Sequence, residues 1–248
     1  MKKVYAINGS PRRNRNTATL LDKVLEGCRD AFPGMVETER INLGDLHYTG
    51  CKSCFACKLK DGPSYGTCAP RDDIRPVLEK IRTADAVVFG SPIYYNTITS
   101  LLHAFYERLF FPYLTYKKGF PTLVTNRMKT ACVYTMNVTE RDMLERGYRD
   151  NLRSFERYLE LYFSKPGLLY AFNTCQFDDY SKYVCGAFSG EEKMAYRTVR
   201  TVNGLSPLVA RELTFRACGS TDAPVTGHTA AALRLQEAER LSALVTAL

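Results

Sequence analysis

The chain has 248 residues, of which 45% are hydrophobic and 24% charged, a composition that excludes a disordered or fibrous protein. Its nine cysteines are an odd number and no signal peptide is recognised, so we expect a cytoplasmic protein whose cysteines are thiols or metal ligands. The net charge of +8 favours anionic partners, but the basic residues are scattered and no apolar run could span a membrane, so we expect neither nucleic acid nor a membrane as a partner.

Short apolar runs alternate with amphipathic segments along most of the chain, which is typical of a parallel sheet covered by helices. Five strands are predicted, at residues 3–8, 35–42, 86–90, 130–135 and 168–172. Apolar stripes predict helices at residues 17–31, 74–81, 98–109 and 144–162. The second strand alternates polar with apolar residues, as an exposed edge strand does. The pattern predicts a doubly wound five-stranded α/β sheet in the order 2-1-3-4-5, with helices on both faces.

The composition changes after residue 204, toward Ala, Thr, Leu and Arg. We therefore interpret residues 1–204 as one ligand-binding domain and residues 205–248 as a C-terminal extension. A further amphipathic helix is expected at about residues 230–248.

The segment between the first strand and its helix, residues 7–17, offers small hydroxyl and amide side chains at the start of a helix. Ser10, Asn16 and Thr17 can donate hydrogen bonds to phosphate oxygens beside free backbone N–H groups. The segment matches neither a P-loop nor a G-x-G-x-x-G motif. The alternative interpretation is an ordinary loop in which Asn16 or Thr17 caps the helix.

A second unusual segment, residues 90–97, follows the third strand and is rich in Pro, Tyr and Asn. In the order 2-1-3-4-5, strands one and three are neighbours, and ligands bind in the crevice at their carboxyl ends. The two segments are therefore expected to meet there, where backbone groups and aromatic faces can contact a flat heterocycle. The alternative is a proline-containing turn whose tyrosines pack locally.

These motifs resemble those of the flavodoxin-fold NAD(P)H-dependent FMN reductases over roughly residues 1–197. The matching segments are Gly-Ser-Pro-Arg at 9–12 with Asn16-Thr17, Gly-Ser-Pro-Ile-Tyr-Tyr-Asn at 90–96, Tyr-Thr-Met-Asn at 134–137, Asn173-Thr174 and Asp179-Tyr180. The resemblance implies a flavodoxin-like fold with FMN as the cofactor. It places Ser10, Arg12, Asn16 and Thr17 around the FMN phosphate, Pro92, Ile93, Tyr94, Tyr95 and Asn96 at the isoalloxazine ring, and Thr135, Met136 and Asn137 at a third wall.

The resemblance also implies an activity, an FMN-dependent NAD(P)H oxidoreductase. Such an enzyme passes hydride from a nicotinamide to the bound flavin and on to a quinone, flavin, nitro compound or similar small-molecule acceptor. Because the flavin supplies the chemistry, no catalytic side chain is expected. A homodimer or higher homo-oligomer is implied as well.

Four cysteines form a separate motif, with Cys51, Cys54 and Cys57 in a C-x-x-C-x-x-C run and Cys68 further along. Thiolates at this spacing can converge on a [4Fe–4S] cluster or, less typically, on zinc. The iron–sulfur flavoproteins, which resemble the reductases, carry a compact cysteine motif with a shorter last interval. An electron-transfer iron–sulfur flavoprotein is therefore the alternative function. Free thiols, an inducible disulfide and a redox sensor without turnover also stay open.

Overall fold

The computed structural model describes residues 1–174, in which five parallel strands form one sheet with helices on both faces. The strands are β1 (Lys2–Asn8), β2 (Val36–Asn42), β3 (Ala86–Tyr94), a short β4 (Thr97–Ile98), β5 (Lys129–Thr135) and β6 (Gly167–Ala171). The helices are α1 (Asn16–Ala31), α2 (Ile74–Arg82), α3 (Ser100–Phe110), α4 (Glu140–Glu145) and α5 (Tyr148–Tyr162), with 3₁₀ turns at Leu43–Asp45, Ala56–Lys58 and Phe111–Tyr113.

The parallel strands follow the order β2-β1-β3-β5-β6, which confirms the predicted flavodoxin-like class. The numbering differs from 2-1-3-4-5 because β4 adds a short strand that pairs only with β3. The predicted loop at residues 90–97 is therefore partly wrong. Strand β3 continues through Tyr94, the chain turns at Tyr95 and Asn96, and β4 returns antiparallel so that Ile98 pairs with Ile93.

Apolar side chains fill both faces of the sheet, which explains why its central strands have almost continuous apolar sequences. On one face, Ala6 of β1 and Val88 of β3 pack in a cluster with Leu21 of α1. On the other face, the side chains of α2, α3 and α5 join a larger cluster around Phe89 and Phe105. Each large buried side chain contributes about 1.5–3 kcal/mol, so both helical layers are held firmly against the sheet.

The helix predicted across residues 144–162 is wrong in one respect, because it is two helices. Gly147 adopts a left-handed conformation with φ of 70° between α4 and α5. Thr139 begins α4 with a capping box that includes Asp142. The apolar period continues from α4 into α5 and conceals this break, since glycine can take a left-handed conformation without steric cost.

Several predictions lie outside the described residues. They are the domain boundary after residue 204, the helix at residues 230–248, and Asp179-Tyr180 of the family motif. Among residues 1–174, no helix combines the length and apolar character that crossing a bilayer requires.

Candidate functional site

The segment that follows β1 meets β3 and the residue before α3 at the carboxyl edge of the sheet. The N–H of Gly9 donates to the carbonyl oxygen of Gly90 at 2.8 Å, and the hydroxyl of Thr99 donates to the carbonyl oxygen of Gly9 at 2.6 Å. A Cβ atom on Gly9 would lie 2.8 Å from Cβ of Leu102 and 3.0 Å from the Gly90 oxygen. Only glycine therefore permits this close approach of the two segments.

The N-terminus of α1 opens at this junction without a side-chain cap. Arg15 occupies the cap position but makes no capping hydrogen bond, and the first turn contains no acidic residue. The alternative in which Asn16 or Thr17 caps the helix is therefore wrong. The unpaired N–H groups of the first turn and the helix dipole create an attractive position for an anion.

Ser10 lies buried beside this helix end. Its backbone N–H donates to Oδ1 of Asn8 at 3.1 Å, and its Oγ accepts the backbone N–H of Arg12 at 3.2 Å. The hydroxyl hydrogen of Ser10 is thus left to donate to a ligand. The side chain of Arg12 is exposed on the same segment.

The segments after β5 and β6 complete the junction. Oγ1 of Thr17 lies 2.8 Å from Oγ1 of Thr135. The side-chain amide nitrogen of Asn16 donates to the carbonyl oxygen of Thr174 at 3.1 Å. The hydroxyl of Thr174 in turn donates to Oδ1 of Asn137 at 3.0 Å. The side chains of Asn16 and Thr17 therefore join the segments to one another, while their backbone N–H groups lie in the first turn of α1.

The residues predicted for the ring differ in exposure. Tyr94 and Tyr95 are exposed at the tip of the β3–β4 hairpin. Pro92 and Ile93 of β3 and Asn96 of the turn are half-buried. Met136, in contrast, buries its side chain in the core, and its N–H donates to the carbonyl oxygen of Ala171. An exposed aromatic edge therefore borders the junction on the β3 side.

Two residues of β2 belong to the site although no sequence motif marks them. Asn42 pairs in register with Asn8, and Nη1 of Arg40 donates to Oδ1 of Asn42 and to the carbonyl oxygen of Arg13, both at 2.7 Å. Polar residues at the carboxyl end of a strand that neighbours β1 were the available signal. That signal becomes specific only when the partner of each side chain is known.

A second candidate site is formed by the four cysteines of the predicted metal motif, which line one small cavity that is open to solvent. Cys57 is buried, Cys51 and Cys68 are partly buried, Cys54 is exposed, and all four are free thiols. Burial raises the pKa of the Cys57 thiol. Within residues 1–174, no three His, Cys, Asp or Glu side chains are already arranged to hold a metal ion. The metal ligands therefore stay a prediction.

A buried arginine borders this cavity. Arg108 forms a bidentate ion pair with Asp72, and its Nε donates to Sγ of Cys68 at 3.2 Å. Burial raises the pKa of the Cys68 thiol, and the hydrogen bond from Arg108 opposes that shift. The same guanidinium lowers the pKa of Asp72. The cavity therefore combines four thiols with a buried Arg108–Asp72 ion pair.

The C-terminal half of α3 holds the whole cysteine segment. Oε2 of Glu107 accepts the backbone N–H of Cys51 at 2.9 Å. The ammonium group of Lys58 donates to the carbonyl oxygens of Phe111 and Leu114, just after the helix. The position of the thiols therefore depends on α3, which begins at the junction described above.

Comparison with known proteins relates the chain to two groups. It is 41% identical over 106 residues to an iron-sulfur flavoprotein of Archaeoglobus fulgidus, covering 43% of this chain and 48% of that protein. It is 33% identical over 106 residues to an iron-sulfur flavoprotein of Methanocaldococcus jannaschii, covering 43% of this chain and 51% of the relative. The chain thus spans about half the length of the curated relatives it matches.

A solved structure, the NAD(P)H:quinone oxidoreductase from Methanothermobacter marburgensis, aligns with a TM-score of 0.59 at 18% identity, over 72% of this chain and 90% of that one. At this identity the likeness shows the fold alone. The model of the NADPH-dependent FMN reductase family matches residues 2–135, which include the segments after β1 and β3 and the whole of β5. The resemblance seen in the sequence is therefore confirmed, and the chain belongs to the NADPH-dependent FMN reductase family.

Proposed function

We propose that this chain is an FMN-dependent NAD(P)H oxidoreductase that passes electrons to a small-molecule acceptor such as a quinone, a flavin or a nitro compound. The main support for this proposal is the junction of four chain segments around the uncapped N-terminus of α1. Membership of the NADPH-dependent FMN reductase family points to the same cofactor and electron donor. The homo-oligomer implied by the resemblance stays a prediction.

The donor set at the junction fits a phosphate group. It consists of the free backbone N–H groups in the first turn of α1 and the buried hydroxyl of Ser10, with the exposed Arg12 on the same segment. No carboxylate lies in that first turn to repel a dianion. Backbone N–H groups at a helix end and hydroxyl donors are characteristic partners of phosphate. The FMN phosphate would therefore bind between Ser10 and α1.

The hairpin of β3 and β4 would hold the ring of the flavin. Pro92 and Ile93 offer an apolar edge beside the sheet, and Tyr94 and Tyr95 extend into solvent from it. When bound, FMN supplies the hydride and electron transfer, as flavins do in proteins generally. The residues of this chain would therefore bind and orient the cofactor, and the open side of the hairpin would admit the nicotinamide and then the acceptor.

An anaerobic titration tests this proposal. Protein loaded with FMN should lose its oxidised-flavin absorbance when NADPH or NADH is added, and a quinone should restore it. Absorbance that dithionite removes but neither nicotinamide changes would contradict the reductase activity. Failure to bind FMN would contradict the cofactor assignment itself.

A pair of serine variants locates the phosphate in the same titration. Ser10→Ala removes a buried hydroxyl at the junction and should weaken FMN binding about tenfold, the usual effect of losing a hydrogen bond to a charged group. Ser100→Ala removes an exposed hydroxyl at the start of α3 and should leave the affinity unchanged. Equal affinities for the two variants would place the phosphate elsewhere.

The cysteine cavity favours a second candidate function, electron transfer through a [4Fe–4S] cluster bound to Cys51, Cys54, Cys57 and Cys68. Four thiols line the cavity, and the Lys52 ammonium and the Arg108 N–H that contacts Cys68 suit an anionic cluster. The curated relatives named above are iron-sulfur flavoproteins. Binding a cluster would require the thiols to move together, since the described residues hold no ready-made group of three ligands.

Metal analysis after anaerobic purification tests the second candidate. Iron with acid-labile sulfide would support the cluster, whereas zinc would indicate a Cys₄ zinc site instead. The absence of both metals would contradict the cluster and the zinc site alike. Cys54→Ser should abolish metal binding and leave FMN binding intact, because Cys54 belongs to a separate cavity. Cys28→Ala, on a buried face of α1, is the matched control and should retain the metal.

A further inference from the structure

The segment after β1 is held by β2, the strand that the sequence predicts to be an exposed edge. Arg40 of β2 donates from Nη1 to the carbonyl oxygen of Arg13 at 2.7 Å and from Nη2 to Oδ1 of Asn14 at 3.2 Å. Its Nε lies 2.8 Å from Oδ1 of Asp22 on α1. One guanidinium therefore joins β2, the tip of the segment and α1.

The same guanidinium is connected to Ser10 through two asparagines. Oδ1 of Asn42 accepts Nη1 of Arg40 at 2.7 Å and the amide nitrogen of Asn8 at 3.0 Å. Oδ1 of Asn8 then accepts the backbone N–H of Ser10 at 3.1 Å. Both ends of the segment, at Ser10 and at Arg13, are thus oriented from Arg40. Networks of this kind become rigid when every member has a partner.

Arg40 is not placed to bind a ligand itself. Its side chain is only 17% exposed, and Nε, Nη1 and Nη2 all face groups of the protein. Any effect on a ligand must therefore pass through the segment that it holds. Donors fixed in position before binding avoid the free-energy cost of ordering a loop around the ligand.

We propose that Arg40 is a positioning residue that preorganises the segment at residues 9–15 for a phosphate monoester and so determines how strongly the protein prefers FMN to riboflavin. This inference rests on the proposed FMN site. The two flavins share the ring and differ at the phosphate. A change in their relative affinity therefore reports on the phosphate segment, whereas a general loss of stability weakens both.

The test is to measure the dissociation constants of FMN and riboflavin for the wild-type protein, Arg40→Ala and Arg40→Lys. Both variants should bind FMN at least about tenfold more weakly, as expected for losing several hydrogen bonds around a charged group, and should bind riboflavin as before. Lysine keeps the charge but lacks the planar fork that contacts four acceptors at once, so it should not restore the preference. If Arg40→Ala does not fold, Arg40→Lys carries the test.

Arg29→Ala is the matched control. Nη1 of Arg29 donates to Oγ1 of Thr38 at 2.7 Å, so this arginine also joins α1 to β2, but near the other end of the helix. It should leave both dissociation constants unchanged. An unchanged FMN-to-riboflavin ratio in both Arg40 variants, or a ratio restored by lysine, would overturn the positioning role while the FMN site stands. Equal affinity of the wild-type protein for the two flavins, or no binding, would instead contradict the phosphate site itself.

Discussion

Tyr95 holds a conformation that tyrosine seldom adopts. Its φ is 48°, that of the next residue, Asn96, is 68°, and together they form the two-residue turn between β3 and β4. Such turns favour Gly, which has no Cβ to be strained at positive φ, and Asn, whose short polar side chain can hydrogen-bond locally. The Tyr95 side chain is also fully exposed. Neither feature stabilises the fold, and both occur where we propose that the flavin ring binds.

Tyr95→Gly should therefore affect stability and binding in opposite directions. We expect the free energy of unfolding to rise by about 0.5–1 kcal/mol, since the relief of strain exceeds the added entropy of glycine. FMN binding should weaken several-fold, because the ring loses one of its contacts. Denaturant unfolding and FMN titration measure the two effects. Tyr116→Gly, at an exposed tyrosine without positive φ, is the control and should lower stability.

Arg15 presents a similar conflict at the start of α1, where a helix of 16 residues lacks a side-chain cap. Arg15→Asn should supply that cap and raise the free energy of unfolding by about 1 kcal/mol. The new side chain would compete for the N–H groups that we assign to phosphate, so FMN affinity should fall. Arg15→Ala separates the loss of charge from the gain of a cap. An asparagine variant that is more stable and binds FMN no more weakly than the alanine variant would contradict the phosphate assignment.

At the scale of single elements, α3 connects the two candidate sites. Its 11 residues span about 16 Å. The residue before it, Thr99, donates to Gly9 at the junction, whereas Glu107 and Arg108 contact the cysteine segment. The two sites therefore lie along one rigid helix. Substitutions near the C-terminal end of α3 should alter the cysteine cavity more than they alter the junction.

The ion pair of Arg108 and Asp72 predicts a specific pH dependence. Asp72→Asn leaves a buried charge unpaired and should lower the free energy of unfolding by about 3 kcal/mol near neutral pH. Because Arg108 depresses the Asp72 pKa below its ordinary value of 3.8, the stabilisation is present above that value and is lost as the pH falls through the folded-state pKa. Urea midpoints measured toward low pH should therefore converge for the two proteins. A difference that does not change with pH would contradict this role.

The packing of α1 on β3 gives a further prediction. A Cβ atom on Gly90 would lie 2.7 Å from Cδ1 of Leu21 and 2.9 Å from Cγ2 of Thr17. Gly90→Ala should therefore displace the start of α1, cost about 1–3 kcal/mol of stability, and weaken FMN binding. Gly44→Ala is the control, since its nearest neighbour would be Cα of Pro11 at 3.4 Å. Thermal unfolding and FMN titration of both variants provide the comparison.

For the whole molecule, the sheet and its order could be predicted because central parallel strands carry apolar side chains on both faces. The β3–β4 hairpin could not, since Pro92 and a Tyr-Asn turn without glycine conceal it. The break at Gly147 was hidden for a similar reason, because the apolar period runs across it. Local patterns thus identify elements that pack on a core and miss turns that depend on a left-handed residue.

The location of the candidate site could be predicted from the sequence, but some of its residues could not. The segments that follow parallel strands lie at the same edge of the sheet, so Ser10, Thr17 and Thr135 are expected to lie close together. Arg40 and Asn42 were missed because their roles depend on contacts with β1 and with the segment that follows it. Polar contacts between distant segments leave no periodic signal in a sequence.

We propose that one FMN molecule binds at the junction of the segments that follow β1, β3, β5 and β6. A crystal structure of the full chain soaked with FMN tests it most directly. We predict electron density for the phosphate at the N-terminus of α1 beside Ser10, and for the ring along residues 92–96. Density for FMN at any other position, or none at saturating concentration, would contradict the account.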